Sequence, residues 1–182
     1  HAVIAGTGTI LADDAALTAR DAAGALLPTQ PVPVVVGTRA VPPHAAVRAH
    51  PREPIFLPGP DLRVVLAELY GRGIQSVFVE GGPTLASAFI REGLADELLV
   101  YTAPMLLGGP RGALTDIGVD TITDAHRLCI SEVQRVGDDL LIIASPADAA
   151  ASRSGTASAP SPSAPSPSAP SPSEVTPNEG HD

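Results

Sequence analysis

Residues 77–88, Val-Phe-Val-Glu-Gly-Gly-Pro-Thr-Leu-Ala-Ser-Ala, set a strand, a glycine turn and a helix start in immediate succession. The apolar run Val77-Phe78-Val79 suits a short strand, and Glu80 falls at its carboxyl end, where open α/β sheets place ligand contacts. Pro83 at a first helical position forfeits no hydrogen bond and presets the backbone angle. The turn leaves backbone N–H groups unpaired at the positive end of a helix, a ready site for phosphate. Gly81 and Gly82 carry no Cβ, so a diphosphate can approach their backbone closely. Two plainer readings stand beside this one. Glu80 is then a solvated carboxylate at a strand end, and Gly81-Gly82 is a tight strand-to-helix turn.

The rest of the chain sorts into a body and a tail. From Ala151 onward the composition reduces largely to Ala, Ser and Pro, and Ser-Ala-Pro-Ser-Pro repeats three times between Ser158 and Pro172. Such a segment has too little apolar surface to offset its ordering entropy, so residues 149–182 are expected to form a disordered spacer. Residues 1–148 are long enough for a single core. The formal charge is −9. Arg153 against Glu174, Glu179 and Asp182 gives the tail −2 and leaves −7 for the body. An acidic chain whose only basic side chains besides histidine are arginines argues against non-specific nucleic-acid binding. One cysteine, Cys129, excludes an internal disulfide and a multi-cysteine zinc site, and is expected to pack as a small apolar residue on a strand. No apolar run reaches membrane-spanning length, so neither a membrane partner nor export is expected, and the cytoplasm is the expected location. The chain opens at His1 on a strand-like run, as though inside a domain.

Along the body, Ala2–Ala5 reads as a buried strand entering the turn Gly6-Thr7-Gly8-Thr9, followed by a segment with Asp13-Asp14 in its middle and Thr18-Ala19-Arg20 at its close. Val32–Val36 suits a doubly buried strand, its start confined to an edge by Pro31 and Pro33. Residues 38–54 hold four prolines and read as irregular, with a short strand at Ile55–Leu57. Leu62, Val65, Leu66 and Leu69 form an apolar helical stripe behind Asp61 as N-cap, with Gly71 or Gly73 as terminator. A second helix runs from Pro83 to Glu92 before Gly93. A strand follows at Glu97–Thr102, then the loop Leu106-Leu107-Gly108-Gly109-Pro110. A hairpin spans His126–Arg135 and Asp138–Ala144 around Val136-Gly137. Helix and strand in alternation, closed by a hairpin, give an α/β fold with a mixed sheet and an antiparallel edge. His44, His50 and His126 are expected to face solvent, with no metal site.

Three segments together resemble the reductase domain of the bifunctional riboflavin-biosynthesis deaminase/reductase. They are Gly6–Asp14 with Leu17-Thr18-Ala19-Arg20, Glu80-Gly81-Gly82-Pro83-Thr84-Leu85, and Asp96-Glu97-Leu98 with Ala103–Gly108. Order and spacing match that family from about residue 2 to residue 145. The resemblance implies a dihydrofolate reductase-like mixed sheet flanked by helices. It also implies NADPH-dependent reduction of 5-amino-6-(5-phosphoribosylamino)uracil, in which a ribosyl group becomes a ribityl chain. By the same resemblance, Thr9, Asp13, Thr38, Gly81, Gly82, Pro83, Thr84, Leu85, Ala86, Ser87 and Ala88 contact the cofactor. Leu17, Arg20 and Glu80 lie against the substrate, Arg20 toward its phosphate because a guanidinium fork matches phosphate oxygens. Glu80 polarises the reacting group, and Arg39 is a candidate for the 2′-phosphate from its charge. The family also has a strand and a helix upstream of Ala2 with further substrate contacts, so the domain is expected to be N-terminally truncated. The His-Ala-Glu and Pro-Cys-x-x-Cys pattern of a zinc deaminase does not occur in the sequence.

Departures from the family pattern are local. Ala15 stands where a proline follows the double aspartate, and Gly37-Thr38 stands near an expected Asp-Ser. The plain alternatives are a turn or cap for Asp13-Asp14 and a surface ion pair for Arg20. Two rival functions remain open at this level: a related reductase of a pterin or other carbonyl substrate, and a non-catalytic nucleotide-binding or dimerisation module. The apolar hairpin edge and Leu106-Leu107 suggest a homodimer.

Overall fold

The computed structural model describes residues 1–59, 61–108 and 112–147. The expected boundary at 148/149, the Pro/Ser/Ala tail and Gly109-Pro110 lie outside the described residues. Seven strands and three α-helices alternate as the composition of each segment suggests: β1 (Ala2–Gly6), α1 (Thr7–Asp13), β2 (Val32–Val36), β3 (Ile55–Leu57), α2 (Leu62–Gly71), β4 (Val77–Val79), α3 (Pro83–Arg91), β5 (Leu98–Thr102), β6 (Leu128–Val136) and β7 (Asp139–Pro146). They form an α/β structure whose strands divide between a parallel four-stranded sheet, order β3-β2-β1-β4, and an antiparallel three-stranded sheet, order β5-β7-β6.

Alternation along the parallel strands splits the core in two. Ala2, Ile4, Val34, Val36 and Leu57 face α2 and α3, meeting Leu62, Val65, Leu69 and Phe89. Ala5 and Val35 face the other way, against Ile10, Leu17, Ala45 and Val47. β1 and β2 are covered on both faces, which explains their continuous apolar runs. β2 lies between β1 and β3, yet Pro33 costs no ladder bond to β3, because β3 begins only opposite Val34.

The stripe expected of α2 is realised, with Leu62, Val65 and Leu69 buried while Val64 and Tyr70 face solvent. Asp61 caps it: its Oδ1 accepts from Arg63 N at 2.9 Å and Val64 N at 3.2 Å. Asp61→Ala is expected to cost about 1 kcal/mol, measured as a lower urea midpoint at unchanged slope. At the far end Gly73 takes φ +80°, which a glycine reaches without the strain a side chain would bring. Arg63 also donates from Nη2 to Glu92 O at 2.9 Å, fastening the start of α2 to the end of α3.

Several local expectations are corrected. The segment Gly6–Thr9 is not a free turn, since Thr7 already opens α1. The hairpin turn sits one residue later than expected, at Gly137-Asp138, because Val136 still pairs with Asp139; Gly137 supplies the required positive φ. His50 is buried rather than solvent-facing; its Nδ1 accepts from Arg52 N at 2.9 Å. Cys129 lies on β6 as expected but is exposed, as is every residue of that strand. Leu106 and Leu107 are likewise exposed. No helix among the described residues is long and apolar enough to cross a membrane.

Candidate functional site

Sheet order alone marks a place for chemistry. The chain lays down β1, β2 and β3 in one direction and then returns to put β4 on the other side of β1. The strand order therefore reverses between β1 and β4, and the crevice beyond their carboxyl ends is where open parallel sheets bind ligands. The pairing register makes this edge level. Gly6, Val36 and Leu57 are mutual neighbours across β1, β2 and β3, and Gly81 follows two residues after the Ile4–Val79 pair. β2, β3 and β4 then leave through glycine-bearing segments, Gly37, Gly59 and Gly81-Gly82, while β1 passes directly into α1 at Thr7.

Glu80 sits on this edge. Its backbone N–H donates to Ile4 O at 2.9 Å, so β1 fixes its Cα. Its side chain is exposed and has no hydrogen bond or ion pair among the described residues. Thr9, in the first turn of α1, reaches across: its Oγ1 accepts from Gly82 N at 3.0 Å. That bond joins residues 73 positions apart and locks the start of α3 against α1.

It also narrows the set of amides available to an anion. Gly82 N is taken by Thr9, Pro83 has none, and Leu85 N and Ala86 N both donate to Gly82 O. The Gly81 and Thr84 amides remain unpaired among the described residues. The two glycines serve differently than their composition suggests. Neither takes a positive φ. A Cβ on Gly81 would come within 3.1 Å of the Leu85 Cβ, so a side chain there would crowd the first turn of α3.

Within α3 the expected cofactor residues divide by face. Leu85 and Ala88 pack against the core. Ser87 is buried, and its Oγ accepts from Thr115 N at 2.8 Å, tying down the segment after β5. Ala86 is half-buried, while Pro83 and Thr84 are exposed beside Gly81 and Gly82.

The other site residues lie on the loops after β1 and β2. Asp13 ends α1, exposed and without a partner among the described residues. Asp14 is the C-cap in the left-handed region, and its Oδ1 accepts from Ala46 N at 2.8 Å, a capping role. Leu17 also has a positive φ, +55°, a conformation costly for a γ-branched side chain. Its burial to 6 % exposure holds it there, so its side chain is a core element. Arg20 is exposed but not idle: Nε donates to Thr18 Oγ1 at 3.1 Å and Nη1 to Gly24 O at 2.8 Å. Thr38 is exposed beyond Gly37.

Two features escaped the sequence. Gln30 is buried and clamps the Arg20 loop, its Oε1 accepting from Ala19 N and its Nε2 donating to Ala19 O and Leu27 O. A lone glutamine between Thr29 and Pro31 gives no signal of that. The second is a cleft at the ends of β2 and β3 that brings Arg39 and Arg48 together. Its signal was the absence of any Asp or Glu from Ala22 to Arg52. Among the described residues, no group of three or more His, Cys, Asp or Glu could hold a metal ion.

Comparison with known proteins agrees with the motifs. The profile of the RibD C-terminal domain matches residues 1–142. Riboflavin biosynthesis protein RibD of Mycobacterium tuberculosis (strain ATCC 25618 / H37Rv) is 48 % identical over 141 residues, covering 78 % of this chain and 41 % of that protein. The 2,5-diamino-6-ribosylamino-4(3H)-pyrimidinone 5′-phosphate reductase of Methanothermobacter thermautotrophicus is 33 % identical over 168 residues, covering 78 % of this chain and 77 % of that protein. Among solved structures, Acinetobacter baumannii RibD, form 1, superposes with a TM-score of 0.71 at 27 % identity, over 80 % of this chain and 46 % of that one. The chain thus spans less than half the length of the RibD proteins it matches.

Proposed function

We propose, because the chain belongs to the RibD C-terminal domain family, that it is a reductase of riboflavin biosynthesis, using NADPH to reduce the ribosyl group of 5-amino-6-(5-phosphoribosylamino)uracil to a ribityl chain. The observation that carries this reading is the corner at the strand-order reversal. There a carboxylate, Glu80, and the amides of Gly81 and Thr84 stand side by side, each without a hydrogen-bond partner among the described residues. The donor set suits a dinucleotide's phosphates: free N–H groups at the positive end of a nine-residue helix, braced from behind by the Thr9–Gly82 bond. When bound, the reduced nicotinamide supplies the hydride, and the protein's share is position and charge.

That share falls to four side chains. Glu80, fixed through its backbone by β1, accepts hydrogen bonds from substrate hydroxyl or amino groups and holds the sugar carbon in place. Arg20, already bent onto its own loop by Thr18 and Gly24, keeps further guanidinium N–H groups for the substrate phosphate. Asp13 and Thr38 flank the cofactor from the loops after β1 and β2. Titration of the purified chain with NADPH, followed by addition of the pyrimidine substrate, tests the reading. Saturable binding and substrate-dependent loss of absorbance at the reduced nicotinamide band are expected. Binding without oxidation would leave only a nucleotide-binding module.

A further inference from the structure

Between α1 and β2 the chain builds a small ribbon whose residues 20–29 are all exposed. Arg20 and Leu26 form an antiparallel bridge, Asp21 N donates to Ala25 O at 2.9 Å, and Leu27 N donates to Ala19 O at 3.0 Å. Gly24, at φ +82°, closes the turn. An isolated two-stranded ribbon is marginal in water, so whatever fixes its base decides how firmly Arg20 is presented. Leu17 anchors the entry in the core, and Gln30, 7 % exposed, anchors the exit. The Gln30 amide bonds both strands of the ribbon. Its Oε1 accepts from Ala19 N at 2.9 Å, and its Nε2 donates to Ala19 O at 2.8 Å and to Leu27 O at 2.7 Å. Gln30 is set in turn by β2, which begins two residues later, and by Pro31 between them, whose ring fixes φ.

That order serves one side chain. Of the five N–H groups of Arg20, two are taken, Nε by Thr18 Oγ1 and Nη1 by Gly24 O, which leaves three for a ligand. The neighbouring carboxylate does not neutralise it. Asp21 Oδ1 accepts from Ala23 N and Ala25 N at 2.9 Å each, and neither ion pair among the described residues involves Arg20. A guanidinium held in this way has lost its freedom before a ligand arrives, so less affinity is given up in ordering it. We propose that Gln30 is the positioning residue for the substrate phosphate: by closing the base of the ribbon on Ala19, it sets where Arg20 meets that phosphate. The assignment rests on Arg20 as the phosphate ligand and adds a buried group that never touches the substrate.

Steady-state kinetics of the full chain with NADPH test this on two compounds, 5-amino-6-(5-phosphoribosylamino)uracil and the same molecule lacking its phosphate. Gln30→Met keeps the volume and removes all three bonds. It is expected to raise KM for the phosphorylated compound about 10-fold with kcat within about two-fold, because only a fraction of the molecules still hold Arg20 in place. KM for the dephosphorylated compound stays within about two-fold. Arg20→Ala raises the first KM about 10- to 100-fold, the value of charge-assisted hydrogen bonds. Adding Gln30→Met to Arg20→Ala brings no further rise, as required of two residues that act in series. Should Gln30→Met fail to fold by circular dichroism, Gln30→Glu supplies the same comparison: it keeps the acceptor for Ala19 N and loses both donated bonds. Equal rises for the two compounds, additive rises in the double variant, or no rise in Gln30→Met overturn the positioning role and leave Gln30 a packing residue. A parent chain that oxidises NADPH with neither compound removes the reductase reading, and the assignment with it.

Discussion

On the proposed reductase reading, replacing Glu80 by Gln is expected to lower the turnover of cofactor-dependent pyrimidine reduction on the order of 100-fold or more, while moving the unfolding free energy by no more than about 0.5 kcal/mol. Both halves follow from one geometry. The carboxylate makes no hydrogen bond or ion pair among the described residues, so folding loses no such bond when its charge goes. The Cα is held by the Glu80 N–Ile4 O bond at 2.9 Å, so the amide of Gln occupies the same place and only charge and acceptor capacity change. Binding of NADPH measured by titration should stay near the parent value, which locates the defect at the substrate. Equal turnover in mutant and parent would remove Glu80 from the reaction and return it to an ordinary strand-end acid.

Phe89→Ala acts through the opposite link, costing about 3–5 kcal/mol of stability, a large part of the 5–15 kcal/mol expected of a domain. Phe89 is 3 % exposed and lies in the cluster formed by β1, β2, β3 and α2, so truncation leaves a cavity between the parallel sheet and its helices. The same substitution at Phe78 on β4, where the ring is 49 % exposed, should cost much less. Chemical denaturation of the two variants side by side checks the contrast. A small effect at Phe89 would mean that α3 is not anchored as described, and the placement of Gly81 and Thr84 would go with it.

How much of this was legible beforehand depends on the range over which each signal acts. The helix at Leu62–Gly71 and the strand–turn–helix around Glu80 declare themselves locally, through an apolar stripe, a capping aspartate, and glycine beside proline. The structure returns each nearly to the residue. What stayed hidden depends on partners far along the chain. No local feature shows that Gly82 N is spent on Thr9, or that Ser87 is turned inward to Thr115. Leu17 in a left-handed conformation contradicts its own propensity and is possible only because the core around Val35 and Val47 holds it. The segment 38–54, rich in proline and without periodicity, read as irregular, with Thr38 marked by the resemblance and Arg39 by its charge. The cleft that joins Arg39 to Arg48 forms only when strands that are neighbours in space bring them together.

The level ending of the parallel strands has a consequence for how such a chain can change. Because Leu57, Val36 and Gly6 stop in one row, every recognition segment begins from a shared ledge and none supports another strand's pairing. The exposed residues 22–25 and 38–40 can therefore be recoloured in charge without disturbing the ladder beneath them, whereas buried Gln30, Ala45 and Val47 hold the rest of those segments to the core. Ligand preference and folding stability then drift under separate constraints, and relatives with the same sheet can diverge first in what they hold.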